Sequence, residues 1–396
     1  MRYLMTFILS AAAVTAGAQQ PSAQLLERAR ALHTQVPLID GHNDFPWEVR
    51  EKSAGDVDAR DMTKPVEGHT DIARLRQGGV GAQFWSVYVP SSEPEPVTAT
   101  LEQIDIVHRM MRKYPGTFEL ALTAADIERI FAAGRIASLI GMEGGHSIDS
   151  SLGALRMMHR LGARYMTLTH SANVPWADSA TDTPAHGGLT AFGETVVREM
   201  NRLGMLVDLS HTSPDTMADA IRVSDAPVIF SHSSARGVTD VPRNVPDDIL
   251  RLLPQKDGVV MVTFVPSFVS EAVAARNRAE DAERARLRAL AGATDESVTS
   301  GVATWRAGNA APKATLSDVA DHIDHIRKVA GIDHVGIGGD FDGITTVPQG
   351  LEDVSTYPAL TAELLRRGYS DEDVKQILGL NMLRVMKKAE GIAQSR

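Results

Sequence analysis

The sequence predicts a (β/α)8 barrel, a closed parallel sheet ringed by helices. Two observations carry this reading. Eight short apolar runs of strand length alternate with segments of helical spacing, and eight is the strand number at which such a sheet closes. Metal-competent side chains also follow the carboxyl ends of six of those runs: His42 and Asp44, Glu143, His170, His211, His232 and Asp340. In this fold the active site lies at that end of the strands.

The first eighteen residues, MRYLMTFILSAAAVTAGA, read as a secretory signal, with Arg2, an apolar run and Ala16-Gly17-Ala18 as a cleavage site. The run is shorter than the ~20 residues a spanning helix needs. The expectation is therefore cleavage after Ala18, a periplasmic or secreted mature chain without a membrane anchor, and one domain over residues 19–396. The first apolar run, VPLID, leads into GHND, where His42 and Asp44 stand two apart, a spacing that in extended backbone puts both side chains on one face. The second run is Val80–Pro90. The third ends at Glu143, and the two glycines after it let the backbone turn sharply. His146 beside them reads as a bystander, while the fourth run leads to His170.

The stretch GMLVDLSHTSPDTMADAIRVSDAPVIFSHSSARG (residues 204–237) supplies the fifth and sixth runs, each ending in Ser-His. A Ser-Pro-Asp helix start lies between them. Parallel neighbours are about 4.8 Å apart, so His211 and His232 can reach one metal ion or two adjacent ones. Gly258–Pro266 is the seventh run. Residues 270–313, rich in Ala, Arg and Glu, read as a helical insertion with a solvated face. A helix capped by Thr315 or Ser317 and ended by Gly331 follows. Its His322 and His325, like His108 and His159 earlier, are expected to be exposed. The eighth run, HVGIGGDFDG, delivers Asp340 and Asp342.

Composition narrows the chemistry. The 396 residues carry a net charge of −10 and no basic cluster interleaved with aromatics, which removes the electrostatic basis for nucleic-acid binding. Cys is absent, so any metal must be held by His and carboxylates. There is no Gly-x-Ser-x-Gly nucleophile elbow.

The segments LIDGHND, GMEGG, LGARYMTLTHSANVPWAD, LVDLSHTS, VIFSHSSARG, Arg243-Asn244-Val245 and VGIGGDFDG resemble the membrane (renal-type) dipeptidases, zinc peptidases of the metal-dependent amidohydrolase group. The resemblance runs from Leu38 to Val385. It implies that His42 and Asp44 hold one zinc ion, that His211 and His232 hold a second, and that Glu143 bridges the two. It further implies that His170 and Arg243 contact a dipeptide substrate, that Asp340 transfers protons, and that a homodimer is the family-level arrangement. Phe268 departs from the family, many of whose members carry Tyr there. The mechanism expected on this basis is attack by a metal-bridging hydroxide, with His170 donating to the oxyanion, on dipeptides including L-Xaa-D-Xaa. A related binuclear hydrolase of another amide or a lactone would use the same ligands. A catalytically silent binder would be expected to have lost a ligand or Asp340, and all are present.

Overall fold

The computed structural model describes residues 22–395, so the expected signal segment lies outside the described residues. The strands are β1 (Leu38–Asn43), β2 (Val80–Ser86), β3 (Phe118–Leu120), β4 (Ile136–Met142), β5 (Ala163–Thr167), β6 (Leu206–Asp208), β7 (Val228–Ser233), β8 (Val259–Val262) and β9 (Val335–Ile337). All pair in parallel in the order β2-β1-β9-β8-β7-β6-β5-β4-β3, and an added β2–β4 pairing closes the ring. The barrel therefore has eight strands. β3, absent from the sequence reading, borders β4 only at Ile136–Ser138, and β5 takes the neighbouring register from Ile140 onward. Some observed strands are shorter than the runs that signalled them: β2 ends at Ser86 rather than Pro90.

Side-chain alternation along the strands separates two buried clusters. Ile39, Phe84, Leu139, Tyr165, Ile229 and Met261 fill the barrel interior. Their sequence neighbours Leu38, Trp85, Ile140, Met166, Phe230 and Val262 face the surrounding helices. Period-two burial on both faces is what a covered parallel sheet requires. Met382, Leu383 and Met386 of the helix Asn381–Gln394 join the interior cluster.

Helix boundaries follow local chemistry. Ser213 caps Pro214–Val223 by accepting from the Thr216 amide. Thr315 and Asp318 form a reciprocal capping box on Leu316–Ala330, and Gly331 ends that helix. Two helices, Glu271–Arg288 and Asp295–Gly308, lie between β8 and Leu316–Ala330. In the first of them buried Glu280 meets Arg276, Arg284 and Arg306. Among the described residues no helix is long and apolar enough to cross a membrane.

The histidines expected to be exposed are partly or fully buried. His322 is fully buried: its Nδ1 accepts from the Ala235 amide at 3.0 Å and its Nε2 donates to the Val269 carbonyl at 3.2 Å. The helix spacing was read correctly, but the loops after β7 and β8 cover this face. His325 pairs with Asp247 at 2.8 Å, while His108 and His159 are half-buried.

His33, also buried, donates to the Gly78 carbonyl and accepts from Thr361 Oγ1. Burial pushes both His33 and His322 down to about 4. Their ordinary value is about 6.5, so the unfolded chain takes up these protons before the folded one does. The stability each neutral ring contributes is complete above pH ~6.5 and is lost as pH falls toward 4, on the order of 3 kcal/mol per ring. Urea unfolding of metal-free protein at pH 7.5 and 4.5 should show this loss. His322→Gln should start less stable and lose less on acidification, and an equal loss in both proteins would refute the assignment.

Candidate active site

The carboxyl ends of the strands place their polar residues around Glu143. This carboxylate follows β4 directly, and Gly144 after it turns away at φ +104°. Glu143 Oε1 lies 3.1 Å from His211 Nε2 and 3.3 Å from His232 Nε2, and Oε2 lies 3.4 Å from His42 Nε2. His170 Nε2 stands farther off, 3.8 Å from Oε1. Ser86 of β2 donates to Oε2 at 3.2 Å. Burial pushes the Glu143 carboxyl up, but the surrounding His42, His211 and His232 outweigh this and hold it well below the usual range. Burial also drives His211 and His232 well down, toward neutral imidazoles with free lone pairs.

Asp44 reaches His42 by a different route from the expected strand alternation. β1 ends at Asn43, its register slips between Asp40 and Asn43, and Asp44 has left extended geometry (φ −95°, ψ 20°) to start the helix Phe45–Ser53. The result is still convergence, with Asp44 Oδ2 at 3.2 Å from His42 Nε2. Asp340 completes this side, since its amide donates to the His42 carbonyl and a carboxylate oxygen lies within 4.8 Å of a His42 ring nitrogen and an Asp44 carboxylate oxygen. Burial raises the Asp340 carboxyl well above the usual range; His42 and Arg243 oppose the rise, and Asp44 and Glu143 add to it.

The donor set fits divalent metal ions. His, Asp and Glu side chains form three overlapping groups: His42–Glu143–His232, Glu143–His170–His211 and His42–Asp44–Asp340. His211 and His232 point their Nε2 atoms at each other across 2.9 Å. His42 Nε2 and Asp44 Oδ1 are buried without a hydrogen-bond partner. Tyr165 supports His42 from behind. With its hydroxyl donating to the Gly41 carbonyl at 3.2 Å, it accepts from His42 Nδ1 at 2.8 Å and leaves Nε2 directed at Asp44 and Glu143.

Above these groups opens a cavity of about 820 Å³, lined among others by Trp47, Tyr88, His170, Arg243, Phe268 and Asp340. Arg243 is buried, and its two closest polar contacts, Ser233 Oγ at 3.5 Å and the His232 carbonyl at 3.4 Å, are long. Among the described residues no carboxylate pairs with it within 4.0 Å. Its guanidinium lies 5.3 Å from the centre of the Phe268 ring, and burial pushes it down to about 10. His211, Asp340 and Asp342 adopt positive φ of 67°, 62° and 66°. The His211 carbonyl is held in that geometry by the Ala180 amide, Thr169 Oγ1 and Ser179 Oγ.

The membrane dipeptidase family, peptidase family M19, matches residues 26–396. The chain belongs to that family. It is a metallo-dipeptidase, a hydrolase acting on peptide bonds. Dipeptidase verJ of Clonostachys rogersoniana is 43% identical over 381 residues, covering 93% of this chain and 88% of the relative. The probable dipeptidase PvdM from Pseudomonas aeruginosa superposes with a TM-score of 0.82 at 27% identity, covering 93% and 99% of the two chains. A metallopeptidase from Rhodobacter sphaeroides, liganded with a phosphinate mimic of the dipeptide L-Ala-D-Ala, gives a TM-score of 0.72 at 27% identity and covers 89% and 99%.

Every candidate residue read from the sequence lines this site. Supporting residues were missed. Ser86 and Tyr165 sit inside strands with no distinguishing pattern. Gly343, the last residue of VGIGGDFDG, had a visible signal: a Cβ there would fall 2.3 Å from Asp44 Oδ2 and 2.6 Å from Asp340 Oδ1. Its backbone needs no special conformation, so Gly343→Ala should leave the fold intact and displace the two carboxylates. The expectation is a loss of roughly 100-fold or more in kcat/KM with an unchanged circular dichroism spectrum, on the scale that misplacement of reacting groups by ~1 Å causes. Wild-type kinetics in this variant would show that the carboxylates need no such clearance.

Proposed function

We propose that the chain is a zinc-dependent dipeptidase with two ions per site, acting on dipeptides that include L-Xaa-D-Xaa. His42 and Asp44 would hold one ion, His211 and His232 the other, and Glu143 would bridge them. The observation that carries this reading is the gathering of His42, Asp44, His211 and His232, from three strand ends, around Glu143, through successive N and O contacts of 2.9–3.4 Å. Nitrogen and oxygen donors of this kind suit zinc. When bound, two such ions supply Lewis acidity toward the scissile carbonyl and make a water molecule acidic near neutral pH.

The chain's own groups supply the rest. Arg243 is a buried guanidinium with no carboxylate within 4.0 Å among the described residues, and its planar fork suits the free carboxylate of a dipeptide. Phe268 provides a face for the guanidinium in place of a hydroxyl, so carboxylate recognition rests on Arg243. His170 lines the cavity beside Glu143 and would donate to the carbonyl oxygen as charge develops there. Asp340, next to His42 and Asp44, would take a proton from the attacking water and return it to the leaving amine. Acceptance of a D-residue at the carboxyl end is supported by the L-Ala-D-Ala mimic in the Rhodobacter sphaeroides structure.

Amino-acid release from L-L and L-D dipeptides should vanish on chelation and return with zinc; turnover that survives complete metal removal would reject the metal assignment. Arg243→Ala should lower kcat/KM for a dipeptide by roughly 10- to 100-fold, the worth of hydrogen bonds to a charged group. The same variant should barely change kcat/KM for the matching dipeptide amide. Equal losses on both substrates would remove Arg243 from carboxylate recognition.

A further inference from the structure

We propose that Asp208 and Ser231 form a hydrogen-bonded relay behind His232, which fixes its tautomer and strengthens it as a ligand. Ser231 is then a positioning residue for one of the two ion positions, an inference that rests on the ligand assignment above. The geometry begins with Asp208, the last residue of β6, which is fully buried. Its carboxylate receives four donors. Oδ1 takes the Ser210 amide at 3.1 Å and the Ser231 amide at 2.8 Å, while Oδ2 takes Thr167 Oγ1 and Ser231 Oγ, both at 2.6 Å. Four donors and two short O–H···O contacts are the signature of an ionised carboxylate.

Hydrogen counting fixes the rest. A serine hydroxyl has one hydrogen, and that of Ser231 is committed to Asp208 Oδ2. Ser231 Oγ is also 2.8 Å from His232 Nδ1, so the hydrogen on that second contact belongs to Nδ1. A neutral imidazole protonated at Nδ1 carries its lone pair on Nε2. His232 Nε2 is the atom that faces Glu143 and His211.

Consecutive strand residues normally face opposite sides of a sheet. Ser231 and His232 meet because the β7–β8 register shifts between Phe230 and Ser233, the kind of irregularity that re-aims a side chain near a site. The His232 amide is held separately, donating to Ser210 Oγ at 3.0 Å.

Charge distribution gives the relay its purpose. His42 has Asp44 beside it, and its own supporting group, Tyr165, ends on the neutral Gly41 carbonyl. The His211–His232 pair has only Glu143, which it shares. Asp208 therefore supplies negative charge to that half of the site at one remove. Partners of this kind typically change metal affinity by 10- to 100-fold.

The test uses metal-free protein titrated with zinc, with Ser231→Ala, Ser231→Thr and wild type compared. Wild type should bind two ions. Ser231→Ala should bind one of them ~10- to 100-fold more weakly and the other unchanged, with activity restored by excess zinc. Ser231→Thr, which keeps the hydroxyl, should retain both affinities. A second readout is independent of metal and of activity: 15N-histidine NMR of the metal-free chain. The resonances that disappear in His232→Gln should report Nδ1–H in wild type and a mixture of tautomers in Ser231→Ala. Two unchanged affinities in Ser231→Ala, or an Nε2–H tautomer for His232 in wild type, would overturn the relay. A wild-type chain binding fewer than two ions would overturn the binuclear reading instead, while the metal-free tautomer still decides the relay.

Discussion

The site depends on one buried carboxylate. Glu143 is withdrawn from solvent, a cost that is met only when charge and hydrogen bonds surround it on every side. Imidazoles from four other strand ends, together with the Ser86 hydroxyl, do this. No single helix or hairpin could present those groups to one point. A closed barrel can, because each strand delivers its last residues to the same rim and the interior below is packed solid with apolar side chains. The geometry of the sheet is thus a precondition for the electrostatics, because it gathers imidazole nitrogens from four strand ends around one negative charge.

Much of this was legible in the sequence, for identifiable reasons. Short apolar runs between helical segments mark barrel strands because both faces of such a sheet are covered, and the residues just beyond them must be at the rim. That logic placed His42, Asp44, Glu143, His170, His211, His232 and Asp340 together with no knowledge of distances. It failed where burial is decided by elements remote in sequence. His322 looked like an exposed helix residue because nothing in its own helix records that the loops carrying Ala235 and Val269 close over it. β3 was invisible because three residues carry no usable pattern, and its pairing is a tertiary event.

A subtler failure concerns irregular backbone. The spacing of His42 and Asp44 suggested simple strand alternation, yet the two side chains meet where β1 slips register and ends. β7 does the same beside His232. Such slips cannot be read from residue types, since Ser and Asp near a strand end look like ordinary loop polarity. The supporting groups Ser231, Asp208 and Tyr165 went unassigned for that reason. A pattern-based reading recovers the groups that face the cavity more readily than the groups that aim them.

The left-handed backbone at His211, Asp340 and Asp342 carries a consequence for how such a chain can change over time. Each of these side chains sits in a conformation that costs an L-residue on the order of 1 kcal/mol and that glycine adopts freely. In backbone conformation alone, glycine at these positions would relieve the fold. Drift without selection on catalysis therefore runs downhill toward a sturdier and inert barrel, and an intact set of side chains at these three positions records continued use.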